Sequence, residues 1–85
     1  MYKIILGPPT ERFLKKCDRE FYKRLLHRIR ELGLHPFPSD VKRVVSKTKV
    51  KTFRVRLGEH RILYVVFEKE KEILITDIDK RSKVY

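Results

Sequence analysis

The sequence of residues 51–67 is KTFRVRLGEHRILYVVF, and its first half alternates apolar with basic side chains. A period of two is typical of a β-strand, in which successive side chains point to opposite faces. The apolar face carries Phe53, Val55 and Leu57, and the other face carries Arg54 and Arg56. Residues 58–60 predict a tight connection, and residues 61–67 are rich in the β-branched and aromatic residues that strands favour. The stretch therefore predicts two consecutive strands with one apolar and one basic face.

The flanking segments extend this pair on both sides. Residues 68–71 alternate Glu and Lys and predict a hairpin tip, residues 72–78 predict a third strand, and residues 79–85 form a polar tail. At the other end of the chain, residues 2–6 predict a short strand that stops at Gly7-Pro8-Pro9. The strand order is thus one N-terminal strand and a C-terminal three-stranded meander.

Residues 10–33 predict a helical hairpin. Thr10 is placed to cap a short helix that runs to about Cys17, and Asp18 is placed to cap a longer one that stops at Gly33. The longer helix has an apolar stripe at helical spacing, formed by Phe21, Leu25, Ile29 and Leu32. Two prolines make residues 35–40 a loop. We predict an α+β fold over residues 1–85, with a twisted antiparallel sheet packed against this hairpin in a single domain.

The positive charge is concentrated in the middle of the chain. The 85 residues carry a net charge of +11, and residues 41–61 hold eight basic residues and one acidic residue, a net charge of +7. Such concentration favours a surface that binds a polyanion, with nucleic acid as the leading candidate. The candidate contact residues are Lys42, Arg43, Lys47, Lys49 and Lys51, joined by Lys80 and Lys83 of the tail. The alternative is a solvated, highly charged surface with no ligand.

Several other classes of protein are disfavoured by composition. Cys17 is the single cysteine, the three histidines are scattered, and the three glycines are isolated, so we expect no disulfide, no metal site and no cofactor. The longest apolar run, residues 62–67, is far shorter than the roughly 20 residues that cross a bilayer. The first residues also lack the apolar segment of a secretory signal. We therefore expect a cytoplasmic protein with no membrane contact.

Two blocks of the chain resemble the RelE toxins of type II toxin–antitoxin pairs. The first is FRVRLGEHRILY at residues 53–64, and the second is DKRSKVY at residues 79–85. The order and length of the predicted elements also fit that family. The resemblance implies a toxin that cuts messenger RNA on the ribosome without a metal, and a partner antitoxin similar to RelB. In that reaction the substrate's 2′-hydroxyl attacks the adjacent phosphate and leaves a cyclic phosphate.

The resemblance also implies a set of catalytic residues. By position these are Arg54 and Arg56 on the strand, Arg61 after the turn, and Arg81 and Tyr85 in the tail. Arginine stays protonated in proteins, so the arginines can stabilise charge but cannot act as the base. The sequence leaves the base open between Tyr85, His60 and neither of the two. Two other functions stay open: a ParE-like inhibitor of DNA gyrase that cuts nothing, and a relative that binds RNA without turnover.

Overall fold

The computed structural model describes residues 1–44 and 50–80. Its elements are β1 (Lys3–Leu6), α1 (Pro8–Lys16), α2 (Arg19–Leu34), β2 (Lys42–Val44), β3 (Thr52–Leu57), β4 (His60–Phe67) and β5 (Glu72–Lys80). The strands form one five-stranded sheet, with the two helices packed on one of its faces. The predicted α+β class is confirmed.

The order of the strands in the sheet is β1-β5-β4-β3-β2. The β3–β4–β5 meander is confirmed as antiparallel, but β1 pairs with β5 in parallel, so the sheet is mixed rather than wholly antiparallel. Parallel pairing needs a long crossover, which the helices and the rest of the meander supply. The edge strand β2, which pairs antiparallel with β3, was not predicted.

The core lies between α2 and the inner face of the sheet, which is the face that the helices cover. The predicted stripe is confirmed, because Leu25, Ile29 and Leu32 are all buried and Phe21 packs against them. From the sheet the core receives Val55, Ile62, Tyr64, Ile73, Ile75 and Ile78. The hydroxyl of Tyr64 donates a 2.6 Å hydrogen bond to the Pro36 carbonyl, and burial raises the pKa of this phenol. That bond ties the loop after α2 to the sheet.

The ends of the helices follow the sequence only in part. Asp18 caps α2 as predicted, because its Oδ1 accepts a 2.9 Å hydrogen bond from the Phe21 amide. Thr10 was wrongly predicted as a cap: α1 already begins at Pro8, and the fully buried Thr10 hydroxyl donates to the Ile75 carbonyl at 2.9 Å. Proline suits the first helical position because the missing N–H would have no partner inside the helix.

Gly33 was expected to end α2 but lies inside it, since the helix continues to Leu34. A Cβ at Gly33 would lie 3.3 Å from the Tyr2 carbonyl oxygen, and the Tyr2 amide donates to the Gly33 carbonyl at 2.8 Å. The glycine therefore allows the chain before β1 to lie close against the helix. Among residues 1–44 and 50–80, no helix is long and apolar enough to cross a membrane.

Candidate functional site

The hairpin between β3 and β4 sets the position of the arginines. Leu57 pairs with His60, so the loop has only two residues, and its first, Gly58, has a φ of 62°. A positive φ at the first loop position suits glycine and matches the twist of the two strands. The resulting register places Arg56 directly opposite Arg61.

The outer face of the sheet, opposite the helices, collects four basic side chains. Val55 is fully buried on the inner face, so its neighbours Arg54 and Arg56 point outward. Lys42 on β2 lies beside Arg54, and Arg61 on β4 lies beside Arg56. We call Lys42, Arg54, Arg56 and Arg61 the basic cluster. The basic cluster contains the three arginines, Arg54, Arg56 and Arg61, for which the resemblance to RelE toxins implies a catalytic role.

Arg61 has a carboxylate partner on the next strand. Asp79 of β5 pairs with Arg61 in the register, and its two oxygens accept hydrogen bonds from Arg61 Nε at 3.0 Å and Nη2 at 2.9 Å. The side chains are 23% and 37% exposed, respectively. A two-point contact of this kind is stronger and more directional than a single charged hydrogen bond. It restricts the plane of the Arg61 guanidinium group.

Arg56, Arg61 and Asp79 therefore form one row across three adjacent strands. Like charges directly opposite each other destabilise a sheet, so the Arg56–Arg61 pair opposes folding. Asp79 offsets part of that repulsion on one side only. Positive charge concentrated at the cost of stability is typical of a site for an anion.

Beside the basic cluster the outer face carries an apolar patch. Ile5, Leu74 and Val65 pair across β1, β5 and β4, and Leu63 follows next to Arg54. Val65 is only 6% exposed, although it lies outside the main core. The outer face thus carries the basic cluster and an apolar patch next to each other. The unbroken apolar run of residues 62–67 was the signal for this, because both faces of β4 are apolar there.

Three predicted contact residues do not join the basic cluster. Arg43 pairs with Phe53, which packs against the core, and so points to the other face from Lys42. Lys51 lies by the hairpin tip of residues 68–70. Lys80 pairs with His60 on the inner face and forms a 3.5 Å ion pair with Glu59. The remaining predicted site residues, Lys47, Lys49, Arg81, Lys83 and Tyr85, lie outside the described residues.

His60 is also separated from the arginines. It belongs to β4, on the same face as Leu57, and its ring centroid lies 4.4 Å from that of Phe21 and 5.4 Å from that of Phe13. The imidazole therefore packs against the helical hairpin while the basic cluster occupies the outer face. This placement removes His60 as a candidate base for chemistry at the cluster. Over residues 1–44 and 50–80, no three His, Cys, Asp or Glu side chains are grouped to bind a metal.

Residues 4–85 match the family model of the ParE toxin of type II toxin–antitoxin systems, parDE. The chain belongs to this family. It is a toxin of the RelE/ParE superfamily, and the resemblance to RelE toxins is confirmed at that level. A comparison with curated protein sequences gives no match.

Solved RelE structures share the fold. RelE in the archaeal RelE–RelB complex of Pyrococcus horikoshii superposes with a TM-score of 0.83 at 26% identity, covering 98% of each chain. The RelBE2 toxin–antitoxin complex of Mycobacterium tuberculosis gives 0.80 at 21% identity, covering 94% of this toxin and 98% of that chain. The isolated RelE toxin of E. coli gives 0.80 at 13% identity, covering 99% and 88%.

Proposed function

We propose that this toxin is an endoribonuclease that cuts messenger RNA on the ribosome without a metal ion. The observation that carries the proposal is the basic cluster, with Arg54, Arg56 and Arg61 on one face and Arg61 held by Asp79. Attack of a 2′-hydroxyl on the neighbouring phosphate builds negative charge on the phosphoryl oxygens. Fixed guanidinium groups stabilise that charge more in the transition state than in the bound substrate.

The proton transfers are assigned to the tail. A protonated arginine is not a base, and His60 lies on the inner face of the sheet. Tyr85 is therefore the proposed acid or base, a role for which its phenol would need activation by cations, and Arg81 is proposed to contact the same phosphate. Both roles come from the resemblance to RelE toxins. Tyr85→Phe distinguishes proton transfer by Tyr85 from stacking on a base. A ring that only stacks does not need its hydroxyl, so cleavage would be retained, whereas an acid or base would lose it.

The partners follow from the same proposal. Ribosome and messenger RNA are the targets, and Lys42 with the other predicted contact residues supplies the electrostatic attraction to phosphates. An antitoxin similar to RelB neutralises the toxin, in line with the RelE–RelB complexes of similar fold. We expect that antitoxin to present an acidic helix with an apolar stripe, as charge complementarity speeds capture. A cytoplasmic location is part of the same proposal, since these three partners are met there.

Gyrase inhibition is the second candidate function, and the match to the ParE family model favours it. A binder of gyrase needs no reacting phosphate, so the Arg61–Asp79 pair would have only a structural role. A third possibility is a catalytically degenerate relative that binds RNA or the ribosome and does not cleave RNA. Both alternatives predict no new RNA ends.

Single-turnover cleavage of a messenger on programmed ribosomes tests the proposal. Arg61→Ala and Arg81→Ala should each slow cleavage by about 10²–10³-fold, the effect of one lost transition-state donor. Ile29→Ala is the control, because it opens a cavity under α2 and should lower the melting temperature with little effect on the rate. Cleavage near the wild-type rate by both arginine variants would exclude the catalytic assignment of these arginines, and no cleavage by the wild-type protein would leave a binding protein.

A further inference from the structure

We propose that Asp79 is a positioning residue, which holds Arg61 in the orientation that stabilises the reacting phosphate. The inference rests on the proposed ribonuclease function and adds a residue that the RelE resemblance does not supply. Asp79 is not itself expected to touch RNA. It acts through the guanidinium group of Arg61.

The geometry supports orientation rather than simple pairing of charges. Both oxygens of Asp79 are engaged, one by Nε and one by Nη2, which fixes the guanidinium plane as one contact could not. The carboxylate stands on β5 between two residues that are themselves paired with β4, Ile78 with Ile62 and Lys80 with His60. Its backbone is therefore held by the sheet, and a site on a strand is held more rigidly than one on a loop.

The negative charge of Asp79 distinguishes a role in orienting Arg61 from a role in RNA affinity. A carboxylate beside a phosphate site repels the phosphate, so Asp79 weakens binding of an anion in the ground state. A carboxylate at this position is unfavourable for a surface whose only role is to bind RNA tightly. It is favourable for a surface that must hold one guanidinium group next to a developing negative charge, since a misplacement of about 1 Å can cost about 10²-fold in rate.

Asp77 provides a matched control on the same strand. It pairs with Leu63, two residues before Asp79, and faces outward as Asp79 does. Its Oδ1 accepts a 2.8 Å hydrogen bond from the Ile78 amide, a bond that asparagine can also accept. Asp77→Asn therefore removes the same charge from the same face without changing the contact with Arg61.

The test measures rate and affinity separately on programmed ribosomes. Single-turnover cleavage gives the rate, and binding to a messenger with a 2′-deoxy nucleotide at the cleavage position gives the affinity, because that messenger lacks the nucleophile. Asp79→Asn should slow cleavage by about 10–100-fold while binding stays equal or tightens. Asp77→Asn should show the same change in binding with a wild-type rate. Adding Asp79→Asn to Arg61→Ala should slow cleavage no further, since both changes disable one unit.

Two results with a folded Asp79→Asn variant would overturn the inference. A wild-type rate for Asp79→Asn would leave the ribonuclease function standing and make the pair structural only. If Asp79→Asn lowered the cleavage rate, the binding affinity and the melting temperature together, the result would also indicate a structural role. If Asp79→Asn does not fold, Asp79→Glu keeps the charge on a longer side chain and should still slow cleavage with unchanged binding. An inactive wild-type protein would overturn the proposed function and this inference together.

Discussion

Replacing Arg56 with glutamine should stabilise the fold and impair the toxin. Arg56 is exposed on the outer face and lies directly opposite Arg61. In water, two unit charges repel by about 0.6 kcal/mol at a separation of about 7 Å, and salt reduces this value. Arg56→Gln keeps an unbranched polar side chain and removes the charge and its repulsion. The melting temperature should therefore rise by at most about 2–5 °C in low salt, since Asp79 offsets part of the repulsion and 1 kcal/mol shifts a domain of this size by about 4–8 °C.

The same change should slow RNA cleavage by about 10²–10³-fold, because a charge donor to the transition state is lost. Thermal melts at two salt concentrations and single-turnover cleavage give the two results. Lys23→Gln is the control for stability, because it removes one positive charge from α2, outside the basic cluster, and should raise the melting temperature less. A fall in melting temperature for Arg56→Gln, or a rise no larger than that of Lys23→Gln, would refute the like-charge argument. Unchanged cleavage would refute the role of Arg56.

Three further predictions concern stability and binding. Thr10→Val removes the hydrogen bond from the Thr10 hydroxyl to the Ile75 carbonyl, which still accepts one from the Gly7 amide at 2.9 Å. Denaturant unfolding should therefore show a loss of stability of only about 1 kcal/mol, and a loss above about 3 kcal/mol would contradict this. The hydrogen bond from Arg28 lowers the pKa of Asp40, so this contribution to stability is present above the unfolded-state pKa of about 3.9 and is lost as the pH falls through the lower folded-state value. Asp40→Asn should flatten the stability–pH curve in that acidic range, and an unchanged slope would show that the pair contributes nothing. Binding to ribosomes should weaken steeply with salt if Lys42 and its neighbours contact phosphates, and a dependence no steeper than that of a Lys42→Gln, Arg54→Gln double variant would count against the basic cluster.

The sequence predicted the parts of the fold that depend on local periodicity. The stripe of α2 and the alternation of β3 are repeated over several residues, so burial of one face specifies them strongly. The parallel partner of β1 was missed because no local pattern in residues 2–6 identifies a strand that is almost 70 residues away in the chain. The three-residue strand β2 was missed because so short an edge strand has no clear period.

The candidate site was predicted less completely than the fold. His60 was assigned to the turn, but the loop has only two residues, so His60 begins β4 and its side chain points to the inner face. Moving the start of a strand by one residue changes the face to which a side chain at that end points. For His60 this determines whether the imidazole lies with the arginines or on the opposite face. Asp79 was missed because the polar residues 79–85 were interpreted as a tail. In the structure β5 continues to Lys80, so Asp79 lies on a strand.

The central claim is that this toxin cuts ribosome-bound messenger RNA, and primer extension on translating ribosomes tests it most directly. Purified wild-type toxin should create new 5′-hydroxyl ends in the messenger when ribosomes are present, and none on the same RNA alone. DNA gyrase should keep its supercoiling activity at the same toxin concentration. An intact messenger together with loss of supercoiling would contradict the account and identify the protein as a gyrase inhibitor.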